Sequence, residues 1–230
     1  MNNKTVLPVI HHLDYSTTID QATLALSLGA DGVFLISHGA DNDELFEPAC
    51  VIKGLFPTKR VGVNLLGMTA EEALKIALND GLDMVWADSC GVSSEGVNDS
   101  ARNIASMLKG APDGFEFFGS VAFKYQRNEA MPDKAALFAA ELGMIPTTSG
   151  QATGSAPEIN KIVSMRSRLH NHPLAVASGM APDNVEQFMP YVTHFLVATG
   201  VSLDFHHFHK QNLESFINIV HGITEEALSA

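Results

Sequence analysis

Basic residues are scarce in this chain. Fourteen Lys and Arg stand against 26 Asp and Glu, a formal net charge of −12 over 230 residues. General nucleic-acid binding needs a basic face, and a polybasic membrane contact needs one too, so neither is expected. Cysteine is nearly absent: Cys50 and Cys90 are the two in the chain. No disulfide framework follows from them, which points to a reducing, cytoplasmic setting. No apolar run reaches the roughly 18 to 20 residues of a membrane span. Met1 to Pro8 lacks the basic-then-apolar layout of a signal peptide. No Gly-x-Gly-x-x-Gly follows the first apolar run and no His-Glu-x-x-His occurs, so no cofactor and no metal is expected. There is also no low-complexity stretch or long polar linker, and residues 1–230 read as one domain.

What is present is an alternation of two textures. Strand-length apolar runs recur at Val6–Ile10, Gly32–Ile36, Arg60–Leu65, Met84–Ala87, Phe115–Phe123, Met144–Thr148, Leu174–Ala177 and Phe195–Ala198. A helical pattern follows each: Ile19–Leu28, Asp43–Phe56, Ala73–Asn79, Ser100–Leu108, Lys134–Leu142, Pro157–His170, Pro182–Met189 and Gln211–Leu228. Gly29, Gly81 and Gly143 fall where helices end, and Thr69-Ala70-Glu71-Glu72 has the form of a capping box. The apolar runs mostly lack strict alternation, as strands buried on both faces do, which favours a parallel sheet. Eight such units at about 29 residues each match a single (β/α)8 TIM barrel with a parallel inner sheet.

In that fold the active site forms where strands end and βα-loops begin. Polar residues occur at every such exit. His11, His12 and Asp14 follow the first run, Ser37, His38 and Asp41 the second, and Asn64 closes the third. Asp88, Ser89 and Cys90 follow the fourth, Lys124 and Tyr125 the fifth, and Thr147, Thr148 and Ser149 the sixth. Asp88 suits a general base or a partner for a ligand hydroxyl, or else a cap. Lys124 suits an anion contact better than a Schiff base, or else a solvated ion pair. His12 and His38 suit acid/base work near neutrality, or else are hydrogen-bonded rim residues. Asn64 completes the catalytic candidates.

The last quarter carries a phosphate-type signature. Ser178, Gly179, Met180 and Ala181 lead from a strand into Pro182, and Thr199, Gly200 and Val201 follow the last strand. Glycine permits tight turns, and free amides ahead of a helix can hold an anion whatever the global charge. Loops seven and eight are where phosphate sites recur in this fold. The bland alternative is that these glycines only make turns. A third Gly-rich loop, with Gln151, Thr153 and Gly154, suits a clamp on the ligand or a plain connector. His206-His207-Phe208-His209 is conspicuous but too compact to aim three rings at one ion. A flexible loop over the site is the better reading. Phe115 to Phe118, Met180 and Met189 read as core or subunit contacts.

The Ser178–Val185 and Ala198–Ser202 segments resemble the phosphate-gripping end of phosphoribosylanthranilate isomerases. A wider match is similar to the BtpA family of barrel enzymes. It rests on Gly29–Val33, Val61–Leu66, Ser149–Ser155 and the Ser178 segment. The resemblance implies a barrel and a phosphorylated or ribosyl ligand, and little about the chemistry. The isomerases use a cysteine on strand one and an aspartate on strand six. Here His11 and His12, then Thr147 and Thr148, stand there, so that reaction is not transferred. The usual BtpA strand-two exit is an acidic residue and asparagine, and this chain has Ser37 and His38.

Three functions follow as expectations. The first is an isomerase, lyase or transferase acting on a phosphorylated sugar or phosphoribosyl compound. The second is a ligand-binding or assembly factor on the same scaffold. The third is a metal-dependent hydrolase built on His11, His12, His206 and Asp88. Exposed apolar helix faces admit a homodimer.

Overall fold

A computed structural model describes residues 4–39 and 41–223. Eight parallel strands close into a barrel, each paired with its neighbours in sequence and the last with the first. They are β1 (Thr5–His11), β2 (Gly32–Ile36), β3 (Arg60–Asn64), β4 (Met84–Ala87), β5 (Glu116–Ser120), β6 (Ile145–Thr148), β7 (Ala175–Ala177) and β8 (His194–Val197). Among the described residues seven α-helices surround them: α1 (Tyr15–Ser27), α2 (Phe46–Leu55), α3 (Ala70–Asn79), α4 (Asp99–Leu108), α5 (Pro132–Glu141), α6 (Ile159–Leu169) and α7 (Lys210–His221). The expected parallel (β/α)8 architecture is therefore present.

The chain departs from the sequence reading in a few places, each with a local cause. α1 begins at Tyr15, four residues early, because the Asp14 side chain accepts from the Thr17 amide at 2.7 Å and caps the helix there. The seventh helix, expected over Pro182–Met189, is only a 3₁₀ turn at Val185–Gln187. The Asn184 carboxamide holds the segment just before that turn, accepting from the Ala181 amide and donating to the Gly179 carbonyl. Strand β5 stops at Ser120, and Ala122 has φ +48°, so Lys124 lies in the following loop and not at the strand end. A two-residue hairpin, Val92–Ser93 with Gly96–Val97, sits in the β4–α4 loop. The expected last helix reached Leu228; it is seen to His221, and residues 224–228 lie outside the described residues.

Two apolar layers hold the barrel. The strand faces that look outward, with Val6, Ile10, Val33 and Leu35 among them, pack against the helices. The inward faces fill the bore with Leu7, Val9, Phe34, Trp86, Phe118 and Leu196. Phe34 meets Trp86 and Phe118 edge-on, with centroids 6.1 and 5.2 Å apart. Gly62 makes room for that ring: a Cβ there would come within 2.6 Å of Phe34 Cε1 and 2.7 Å of Met84 Cβ. At the bottom of the bore Glu116 pairs with Arg60 and lies 3.5 Å from His194. The bore is thus plugged below the mouth. Among the described residues no helix is long and apolar enough to cross a membrane.

Candidate active site

Period-two alternation decides which polar residues enter the mouth. In β1 the inward residues are Leu7 and Val9, and His11 continues that face. His12 must then point outward. It is 6% exposed, with Nδ1 at 2.8 Å from Thr18 Oγ1 on α1 and Nε2 at 3.3 Å from Glu44 Oε2. The structure therefore moves the acid/base candidacy of His12 to its neighbour, because one register step reverses the face.

His11 stands on the rim beside His38, their ring centroids 5.0 Å apart. The β8–α7 loop folds back over both. Its ends join through a Ser202–Phe208 bridge, and Asp204 Oδ1 accepts from the amides of His206 and His207 at 2.8 and 2.9 Å. This flap lays Phe205 on His11 at 4.1 Å and against His38 at 5.2 Å. A cavity of about 180 Å³ lies beneath, walled by His11, Thr199, Ser202, Leu203, Asp204 and Phe205. The three flap histidines diverge. His206 Nδ1 faces the His11 carbonyl, His207 pairs with Asp204, and His209 caps α7 by accepting from the Asn212 amide. Among the described residues no three His, Cys, Asp or Glu are grouped to hold a metal ion. The hydrolase constellation of His11, His12, His206 and Asp88 is thus not assembled, His12 being turned out of the mouth.

Burial, with the neighbouring His38 adding to it, pushes His11 down to about 4, while a hydrogen bond to the Phe205 carbonyl opposes. His38 is lowered too, by burial first and then by the charge of Lys124, with Asp88 opposing. Both rings are held as neutral imidazoles near pH 7, able to accept a proton. A stability prediction follows. Unfolded His11 takes a proton near pH 6.5 and the folded ring near 4, so the unfolded chain binds more protons between those values. Stability from this group is present above about pH 6.5 and is lost as pH falls towards 4. Urea unfolding of His11→Gln should lose less stability over that window than the wild type, by on the order of 1 kcal/mol after solvent screening. Parallel pH profiles for the two proteins would refute it.

Across the mouth, Asn64 and Asp88 come from adjacent strands. Asn64 Nδ2 donates to Asp88 Oδ1 at 3.0 Å. Lys124 arrives from the β5–α5 loop. Its backbone amide donates to Ser149 Oγ at 2.9 Å, and its Nζ donates to Thr153 Oγ1 at 3.2 Å. The ammonium lies 5.7 Å from the Phe123 ring centroid and 6.0 Å from that of Tyr125. Burial lowers its pKa, with Tyr125 and then Asp88 opposing. His38, Lys124 and Asp88 thus feel each other's charge, whereas His12 stays outside the group.

The three glycine loops interlock. Gly179, with φ +73°, is packed so tightly on Ser155 and Ala156 that any Cβ would overlap their backbone. Gly200 packs in the same way on the Met180 carbonyl, and Gly150 on that of Ser155. Ser178 holds the left-handed φ of +93° that non-glycine residues avoid, and its Oγ accepts from the Gly154 amide at 2.8 Å. The close approach of Gly179 and Gly200 serves loop-on-loop packing. Two amides read as anion donors are already engaged: Ala181 donates to Asn184 Oδ1 and Val201 to the Ala198 carbonyl. Met180 and Val201 side chains are core residues. Among the described residues, no acceptor meets the amides of Gly179, Met180, Thr199 and Gly200. Gln151 is exposed at the tip of the third loop and Thr153 is joined to Lys124.

Sequence reasoning missed Phe205 and Lys161. Lys161, on α6, reaches the carbonyls of Ala122 and Ser149 and so ties the β5 and β6 loops together. A half-buried lysine facing strand exits is visible in sequence only once the register of α6 is known.

No protein-family profile and no curated protein sequence matches this chain. Solved structures do. Phosphoribosyl anthranilate isomerase from Thermotoga maritima is 17% identical, with a TM-score of 0.69 over 96% of this chain and 100% of that one. A phosphoribosyl anthranilate isomerase in complex with reduced 1-(o-carboxyphenylamino)-1-deoxyribulose 5-phosphate is 17% identical, with a TM-score of 0.66 over the same shares. KGPDC from Streptococcus mutans is 14% identical, with a TM-score of 0.67 over 96% of this chain and 99% of that one. At these identities the likeness is one of fold.

Proposed function

We propose that this chain is an enzyme of small-molecule metabolism that binds a phosphorylated sugar or phosphoribosyl-type ligand at the C-terminal mouth of the barrel. The observation that carries this reading is the set of four unengaged amides, Gly179, Met180, Thr199 and Gly200, presented by two interlocked loops. Backbone amides of this kind bind a phosphate without a local cation. Supporting it is the sugar-phosphate ligand named for one similar barrel. Neutral His11 and His38, with Lys124 and Asp88 beside them, suit proton transfer to and from a bound ligand, as in isomerase, lyase or transferase chemistry. The carboxylate and the lysine would position substrate hydroxyls or carbonyls, and a histidine would move the proton. Membership of the BtpA family, a single domain over residues 1–230, a cytoplasmic location and a homodimer belong to the same proposal and rest on the sequence.

The test is ligand-induced stabilisation. Ribose 5-phosphate at 100 times its Kd should stabilise the fold by about 2.7 kcal/mol, and inorganic phosphate should compete with it. Ribose should do neither. Equal responses to ribose and ribose 5-phosphate would overturn the reading.

A further inference from the structure

The larger cavity of the mouth lies opposite the glycine loops, at the exits of β3 and β4, and has a volume of about 420 Å³. That is the size of a small-ligand pocket. It runs from the bore, where Asn64, Trp86 and Asp88 form its inner wall, outward to Ser89, Glu71 and Ser100. Its charged groups, the Glu71 and Asp88 carboxylates, are both acceptors, and the hydroxyls of Thr69, Ser89 and Ser100 stand beside them. Asn64 is 2% exposed, and its amide nitrogen is spent on Asp88 Oδ1. Its carboxamide oxygen has no partner among the described residues. Neither do Asp88 Oδ2 and the Glu71 carboxylate. The indole N–H of Trp86 is turned away, donating to Ser120 Oγ at 3.0 Å. Among the described residues that line this cavity there is no Lys, Arg or His.

The first turns of α3 and α4 also border it, and their positive ends could in principle favour an anion. That charge is already offset. Thr69 caps the Glu72 amide and Asn98 the Ala101 amide, while Glu71, Glu72 and Asp99 stand in those first turns.

We infer that this cavity receives the far end of the phosphorylated ligand, and that this end is a hydrogen-bond donor without negative charge, an ammonium or hydroxyl group and not a carboxylate. The inference rests on the phosphate reading of the opposite loops. A second anion at this end would face two carboxylates and an amide oxygen, and Lys124, though within charge reach of Asp88, does not line the cavity. Desolvating it there would cost more than the contacts return. An ammonium would find all three acceptors, and Glu71 and Asp88 would set the preference.

Titration calorimetry with hexose 6-phosphates that differ at the far end tests this. Glucosamine 6-phosphate should bind about tenfold or more tighter than 6-phosphogluconate, with glucose 6-phosphate between them. Glu71→Gln, a surface change on an intact capping box, should shrink that ratio to about threefold or less while leaving the affinity for inorganic phosphate unchanged. Tighter binding of 6-phosphogluconate, or an unchanged ratio in Glu71→Gln, would overturn the inference. Unphosphorylated glucosamine separates the two readings. If it binds as tightly as its 6-phosphate and inorganic phosphate does not bind, the phosphate reading fails while the acceptor-lined cavity stands.

Discussion

Replacing Gly200 with alanine is expected to cost about 3 kcal/mol of stability, at the upper end of what overpacking does. The residue has no left-handed φ, so the cost is purely steric: the new methyl would overlap the Met180 carbonyl and crowd Ala181 Cβ at 2.9 Å. Backbone cannot rotate aside as a flexible side chain would. Gly179→Ala should cost at least as much, since it adds a φ of +73° to an overlap with Ser155 and Ala156. The control is Gly81→Ala. Gly81 has φ +67° but open space around its Cβ position, so only the conformational cost of about 1 to 2 kcal/mol remains. Urea midpoints at unchanged m-value measure all three. Because the interlock sets the direction of the free amides, Gly200→Ala should also lose the stabilisation by ribose 5-phosphate. A Gly200→Ala protein within 1 kcal/mol of wild type would show that the loops are not packed as described.

The architecture was legible because it rests on period and punctuation. Val33 to Ile36 and Met84 to Ala87 are apolar on both faces, and a strand can be so only inside a closed, helix-covered sheet. The capping box at Thr69 read correctly because both halves of it are local in sequence. What failed to read were properties that depend on a register or on a distant partner. His11 and His12 are identical in type, and a single step of β1 decides which enters the mouth. Asn184 binds Gly179 and Ala181, both ahead of the seventh-helix turn, a choice that propensity alone does not reveal. Gly179 and Gly200 read in the sequence as tight turns beside an anion site, and both also pack closely on a neighbouring loop. The sequence could not say that the close neighbour of these glycines is another loop. The flap was expected after the last strand, but Phe205 in it drew no notice, because its contact with His11 joins residues at opposite ends of the chain.

Lys161→Met is expected to destabilise the fold by about 2 kcal/mol and to loosen two loops together. The Lys161 ammonium sits between the β5 and β6 exits, donating to the Ala122 and Ser149 carbonyls, the latter at 2.9 Å. Ala122 keeps a second donor, Thr148 Oγ1 at 3.0 Å. Ser149 is fully buried, and its carbonyl has no other donor among the described residues. Methionine preserves most of the volume and removes the donor, so the cost is that of one orphaned buried carbonyl. Burial has already lowered the lysine to about 8, with Glu158 opposing, so the ammonium is not at ease there and its carbonyl contacts offset the desolvation. The functional consequence runs through Ser149. Its Oγ accepts from the Lys124 amide, and it adjoins Gly150, which packs on Ser155. Releasing that residue should free Lys124 and the Gly-rich loop at once. Hydrogen exchange in Lys161→Met should therefore quicken at residues 122–126 and 149–155 while β1 to β4 stay protected. Ribose 5-phosphate affinity should fall in the same protein. Faster exchange spread evenly round the barrel would mean a general loss of stability, and Lys161 would then have no special hold on the two loops.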